Sequence, residues 1–299
     1  MKNRLRRKFR DFMFQTRRLV GLEKLLIMQG ETRAHQIAQQ GQLDTLADAE
    51  FSVFSQWGED GIISWLVDAI KPSSTTFVEF GVEDFRESNT RFLLATRYWS
   101  GLVIDGSEEN IASIRSDDVA YKYDLQTRAA FIDRDNIGAL ISSAGFEGDL
   151  GILSVDIDGV DYWVLERISL RAAIVIVEYN QVFGDVPLSV PYDSSFIRLQ
   201  KHYSGMYWGA SLPAFRHLLE GKGYEFIGTN RAGTNAFFID AAYSEKLKGK
   251  LNRRHEWPCR MREVRNQDGS LAFKTYNEAK SLLTGLPVVN VATGETVTL

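Results

Sequence analysis

The sequence predicts an α/β protein: a mostly parallel sheet, helices on both of its faces, and a helical extension at the N-terminus. Three observations carry that prediction. Four short apolar runs, rich in Val and Ile, close on carboxylates at Glu79, Asp105, Asp156 and Glu178. Such runs read as strands buried on both faces. Helical stretches of about ten residues separate them, which implies right-handed crossovers and parallel pairing. Gly101, Gly148 and Gly151 punctuate the connections, as helix stop signals do. In such a sheet every strand's carboxyl end opens onto one edge, where ligands bind. Acids gathered there are costly to desolvate unless water, donors or a ligand meet them.

In chain order, residues 1–24 come first, with nine basic side chains against Asp11 and Glu23. That is a net +7, leaving −11 for the rest of a chain that totals −4. Leu5, Phe9, Phe12, Met13, Leu19 and Val20 recur at helical spacing, so the segment reads as an amphipathic helix. Through residues 1–28 we expect packing on the body, self-association or peripheral contact with an anionic membrane. The polar residues 29–50, rich in Gln and Ala, read as a helical connector. The chain then divides into an extension (1–50), a body (51–240) and a C-terminal addition (241–299).

Within the body, residues 52–70 read as a loop followed by a helix. The alternation runs strand 76–80, helix 87–97, strand 101–105, helix 107–115, a weaker strand 119–123 and helix 129–144. Strand 151–156, helix 160–168 and strand 172–178 follow. Beyond Asn180 lie a loop with Pro187 and Pro191, an aromatic stretch at Tyr203, Tyr207 and Trp208, and a helix near 210–221. Residues 223–228 and 234–239 form a hairpin across Thr229–Gly233, and Pro287–Leu299 reads as an added extended segment.

Composition narrows the function classes. With 44% hydrophobic and 25% charged residues the chain is an ordinary soluble globular protein, expected in the cytoplasm. Its net charge of −4 gives no global basic field for nucleic acid. The lone Cys259 excludes an intrachain disulfide and any zinc site built on several cysteines. No run approaches the roughly 20 apolar residues that span a bilayer.

The first strand-to-helix turn, Glu79-Phe80-Gly81-Val82-Glu83-Asp84, holds a single glycine where a dinucleotide fold wants three. Glu83 and Asp84 repel a pyrophosphate, whereas a cation tolerates them. S-Adenosylmethionine, with a sulfonium, an ammonium and no phosphate, suits that turn. Asp105 ends the second strand 24 residues past Gly81, the distance at which an acid meets ribose hydroxyls. Ser107 either joins it or simply caps the next helix. Asp124, expected at the end of the third strand, is positioned for an adenine amino group or for a turn.

These features together resemble a class I S-adenosylmethionine-dependent methyltransferase. The resemblance rests on the strand-acid-Gly at 77–81, Val-Ile-Asp-Gly-Ser at 103–107, Asp-Ile-Asp-Gly at 156–159 and the closing hairpin. Gln56–Asp60, a Gln-x-Gly-Glu-Asp segment, points to the FkbM-type family. The resemblance implies a Rossmann-like seven-stranded sheet whose last strand inserts antiparallel beside the strand at 224–228. It further implies that Glu79, Gly81, Asn89 and Asp105 line the cofactor pocket, and that the acceptor is a sugar or another small molecule. The chain departs from the family in its reduced glycine motif and in Ser154, where lysine is common.

The Asp156-Ile157-Asp158-Gly159-Val160-Asp161 cluster is not an EF-hand, because the glycine comes too early and a helix follows. Asp156, Glu178 and Asn180 correspond to the loops that hold Mg2+ in metal-assisted O-methyltransferases, and oxygen ligands suit that ion. Capping by Asp158 or Asp161 without metal is the alternative. Methyl transfer to a hydroxyl needs in-line approach and a base. Asp158 and His202 are the expected bases. Two competing readings remain: a glycosyltransferase holding metal and nucleotide sugar on Asp156-Ile157-Asp158, or a non-catalytic scaffold.

Overall fold

The computed structural model describes Thr16 and residues 21–259 and 263–299. Most of the amphipathic helix expected over residues 1–24 therefore lies outside the described residues. Helix α1 (Leu22–Gln39) lies on the body along the face that buries Gly30 and Ile37. A Cβ added at Gly30 would fall 2.7 Å from Val53 and 2.8 Å from Phe92, so the helix backbone itself is the contact surface. Helix α2 (Glu59–Ile70) follows the expected loop and is buried on nearly all sides.

The sheet comprises β1 (Thr76–Phe80), β2 (Ser100–Asp105), β3 (Leu125–Ala129), β4 (Leu150–Val155), β5 (Ala172–Glu178), β7 (Tyr224–Thr229) and β8 (Asn235–Asp240). Their order is β3-β2-β1-β4-β5-β8-β7. The first five are parallel, and β8 is inserted antiparallel between β5 and β7. This is the expected Rossmann-like class I methyltransferase sheet, with the hairpin strand in its inserted position. Side chains alternate across each strand, so the sheet divides the interior in two. Val78, Phe80, Leu102, Ile104 and Val155 belong to one core; Phe77, Val103, Ile152 and Ile174 belong to the other. Helix α2 covers the second core with Ile62, Ile63 and Leu66.

Three expected elements are corrected. The helix expected from residue 87 is α3 (Arg91–Arg97), because Ser88, Asn89 and Thr90 are drawn off to bind Glu79. Helix α4 (Glu108–Ser116) follows β2 as expected, but the strand expected over 119–123 is replaced by helix α5 (Asp118–Lys122). Asp117 caps α5 by accepting from the Val119 amide at 2.9 Å. The third strand instead begins at Leu125, on the sheet edge, where its side chains are half or fully exposed. Helix 129–144 contracts to α6 (Ile137–Ser142). Asp133 and Asn136 fold the preceding residues into a capped turn, with Asn136 Nδ2 donating to the Phe131 carbonyl at 2.8 Å.

Helix α7 (Asp161–Arg167) follows β4, while α8 (Arg198–Lys201) and α9 (Leu212–Gly221) lie between β5 and the hairpin. The short β6 (Leu188–Ser189) joins β9 (Pro287–Asn290) and β10 (Glu295–Thr298) in a second, three-stranded sheet. Val264, Ala279, Leu283 and Val288 bind the C-terminal segment into the first core. No helix among the described residues is long and apolar enough to cross a membrane.

Candidate functional site

The carboxyl ends of β1, β2, β4 and β5 surround a cavity of about 460 Å³, closed on one side by Ala130–Ile132 from the turn after β3. Its volume falls in the range of small-molecule sites, roughly 300–1,000 Å³. All four strand-end acids line it.

Glu79 and Asp105 are held by donors. Glu79 accepts from Ser88 Oγ at 2.7 Å, the Asn89 amide at 2.8 Å, and the Thr90 amide and Oγ1 at 3.2 and 2.5 Å. Burial pushes its carboxyl above the usual range, and those donors pull the other way. Asn89 passes the connection on, donating from Nδ2 to Ser154 Oγ at 3.1 Å. Asp105 accepts from the Glu83 amide at 2.9 Å on one oxygen. Its other oxygen takes the Ser107 amide at 2.8 Å and Asn110 Nδ2 at 3.0 Å. It thereby ties the turn after β1 to the turn after β2.

Gly81 lies where β1's turn crosses the end of β4. Its φ is +70°, and an added Cβ would sit 1.5 Å from the Asp156 carbonyl oxygen. The position demands glycine by backbone-to-backbone approach as well as by conformation. Glu59, in the Gln56–Asp60 segment, braces the far wall by accepting from Asn230 Nδ2 at 2.6 Å and Asn235 Nδ2 at 2.8 Å. Asp60 folds that segment, its Oδ2 taking the amides of Val53, Phe54 and Ser55.

The acids of β4 and β5 are held differently. Asp156, Asp158 and Glu178 bring one carboxylate oxygen each to within 4.8 Å of one another. Burial first, then the neighbouring carboxylates, pushes Asp156 and Glu178 well above the usual range, and the two share a hydrogen bond. One guanidinium answers them. Arg198 donates to Asp158 at 2.5 Å, to Glu263 at 2.9 Å and to the Gly205 carbonyl at 2.5 Å, and it lies 4.7 Å over the Trp208 ring. Asp158 holds its place with φ +55°, a strained backbone for a non-glycine residue. Asp161 folds the loop by accepting from the Ile157 and Gly159 amides, and burial pushes it up to about 6.

Glu79, Gly81, Asn89, Asp105, Asp156, Asp158 and Glu178 thus meet at one cavity. Four candidates do not. Ser107 caps α4, accepting from the Asn110 amide at 3.2 Å, and does not line the cavity. Asp124 precedes β3, which puts it at the opposite edge of the sheet beside Gly101 and Gly148. Its misassignment follows directly from the displaced third strand. Asn180 is spent on structure: Nδ2 donates to the Met206 and Trp208 carbonyls, and Oδ1 accepts from the Val182 amide at 3.0 Å. His202 lines neither this cavity nor its neighbour; its Nδ1 pairs with Ser204 Oγ at 2.7 Å, and burial lowers its pKa. Sequence reasoning missed Arg198 and Glu263, which arrive from distant segments without a local motif.

No family model matches the chain, and no curated protein matches it. Among solved structures it is similar to the N-terminal domain of EvdMO1 with SAH bound, at 15% identity over 62% of this chain and 81% of that one, with a TM-score of 0.40. It is also similar to a S-adenosylmethionine-dependent methyltransferase from Clostridium acetobutylicum, at 9% identity over 60% and 89% of the two chains, TM-score 0.39. The SAH-bound Podospora anserina methyltransferase PaMTH1 follows at 14% identity, 60% and 78% coverage, TM-score 0.39. Likeness this distant carries no weight for activity, and the fold rests on the strand order of the chain itself.

Proposed function

We propose that the protein is an S-adenosylmethionine-dependent O-methyltransferase acting on a hydroxyl of a small-molecule acceptor, carbohydrates being the class the family resemblance implies. One observation carries the reading. The cavity at the carboxyl edge joins an acid at the end of β1 to an acid at the end of β2, across a turn with no phosphate cradle. Such an edge favours a cation over a pyrophosphate. The cofactor supplies an electrophilic methyl group on a sulfonium. Asp105 would bind its ribose, and Glu79, Asn89 and the Gly81 turn would shape the remainder of its pocket.

The acceptor hydroxyl must lose a proton as its oxygen is alkylated. The Asp156–Glu178 pair, with proton affinity raised by burial and mutual repulsion, is the better base than His202. Asp158 is assigned to positioning Arg198. Asp156, Asp158 and Glu178 are also a fitting oxygen set for Mg2+, which would lower the pKa of a bound acceptor hydroxyl.

Calorimetry with S-adenosylhomocysteine tests the pocket. Asp105→Ala should lose about tenfold or more in affinity, while Asp124→Ala, at the opposite edge, should stay within about twofold. Equal affinities in wild type and Asp105→Ala would sink the assignment. Stabilisation by uridine diphosphate and a divalent metal, but not by S-adenosylhomocysteine, would instead support the glycosyltransferase. No stabilisation by either would leave the scaffold.

A further inference from the structure

A second cavity, of about 330 Å³, adjoins the first, and Glu178, Arg198 and Glu263 line both. We propose that it is the acceptor pocket and that it takes an apolar hydroxy acid: a ring-sized organic anion carrying the reacting hydroxyl. The proposal rests on the methyltransferase reading above and narrows it, choosing an anionic apolar acceptor over a neutral sugar.

Position comes first. A hydroxyl in the second cavity reaches the first past Glu178, which belongs to the pair assigned as base. The walls give the chemistry. Val182, Met206, Trp208, Val264 and Ala279 present apolar surface. Three of the wall's amides and hydroxyls, those of Asn180, Gln181 and Thr275, are already used. Asn180 holds backbone groups, and Gln181 donates to Tyr179 Oη and the Trp257 carbonyl while accepting from the Cys259 amide. Thr275 Oγ1 donates to Glu278 at 2.6 Å. A sugar ring would find Glu178 and Glu263 as acceptors at one end and would lay its other hydroxyls against the apolar wall, at a cost that apolar contacts do not return.

Charge supplies the remaining term. The charge of Arg198 is already met by the carboxylates of Asp158 and Glu263, and its Nε by the Gly205 carbonyl. Lys274, in the same wall, has no carboxylate partner among the described residues. Among the described residues of this wall, it is the cation left for a ligand. The indole N–H of Trp208 is likewise buried with no acceptor among the described residues. One amine beside apolar walls selects a single anionic group on an otherwise apolar molecule. Lys274 and most of the apolar wall come from residues outside the parallel sheet, so this specificity belongs to the segments added around it.

The test is calorimetry on the full chain saturated with S-adenosylhomocysteine, using 4-hydroxybenzoate, its methyl ester and methyl glucoside as probes. The acid should bind about tenfold more tightly than the ester, and the glucoside should not bind. Lys274→Gln should bring acid and ester within about threefold while leaving S-adenosylhomocysteine affinity and the melting temperature unchanged. A preference for the acid that survives Lys274→Gln would overturn the proposal. So would glucoside binding, or no binding of the acid with S-adenosylhomocysteine in place. Failure to bind S-adenosylhomocysteine at all would strike the methyltransferase reading instead, so the two failures are distinct.

Discussion

Four carboxylates end four neighbouring strands, yet the two halves of the row are built on opposite principles. Glu79 and Asp105 are fed by donors, seven hydrogen bonds between them. Asp156 and Glu178 face each other and a third acid, with Arg198 as the nearby cation. Donors fix a carboxylate's position and satisfy its charge locally. Mutual repulsion does neither; it raises proton affinity, which is what a base near neutral pH requires. The first half is framework. The second half stores reactivity at some expense of stability.

The most disruptive change falls at the junction of the halves. Gly81→Ala should cost about 4 kcal/mol, at the upper end for single substitutions. The added methyl would meet the Asp156 carbonyl at 1.5 Å, and no side chain can move to relieve a backbone contact. Urea denaturation measures it. A loss below about 1 kcal/mol would mean that the β1 and β4 ends do not cross as closely as described.

A paired substitution tests the contrast itself. Glu79→Gln keeps the shape but turns an amide NH2 toward a ring of N–H and O–H donors, so it should destabilise by about 2 kcal/mol. Glu178→Gln removes a repulsion instead, and at pH 8 it should stabilise by about 1 kcal/mol while abolishing methyl transfer. The sign follows from linkage. A carboxyl whose folded pKa is raised binds more protons folded than unfolded, so its contribution to stability declines as pH rises through that window. Destabilisation of both variants to the same degree would erase the distinction.

The framework half was largely legible in the sequence, and the reactive half only partly. Strands buried on both faces announce themselves as apolar runs, which is why Glu79, Asp105, Asp156 and Glu178 could be aligned on one edge. The edge strand Leu125–Ala129 has no such run, so its position slipped and carried Asp124 with it. Asn180 and His202 have the right chemistry, but their hydrogen bonds are consumed by the loop they fold. Arg198 and Glu263 escaped for a different reason. An ion pair between segments 65 residues apart is a tertiary fact with no local pattern. The single glycine of the first turn, read as a reduced motif, is explained by the crossing of β4.

The remaining expected effect concerns Arg198, and it bears most directly on how the reactive half is tuned. The guanidinium sits within reach of three acids and lowers the proton affinity of both Asp156 and Glu178 against burial and repulsion. Removing it in Arg198→Gln leaves that burial and repulsion unopposed. A base acts only when deprotonated, so the acid limb of the pH–rate profile reports the pair, and activity falls as pH drops through its raised value. Without the cation that limb should move to higher pH by about one unit, equivalent to about 1.4 kcal/mol. Measured with a chelator present, the rate above the shifted limb should approach wild type, because the pair still ionises there. If the plateau collapses while the limb stays in place, Arg198 positions the acceptor instead, and the pair's proton affinity is set by burial and mutual repulsion without it.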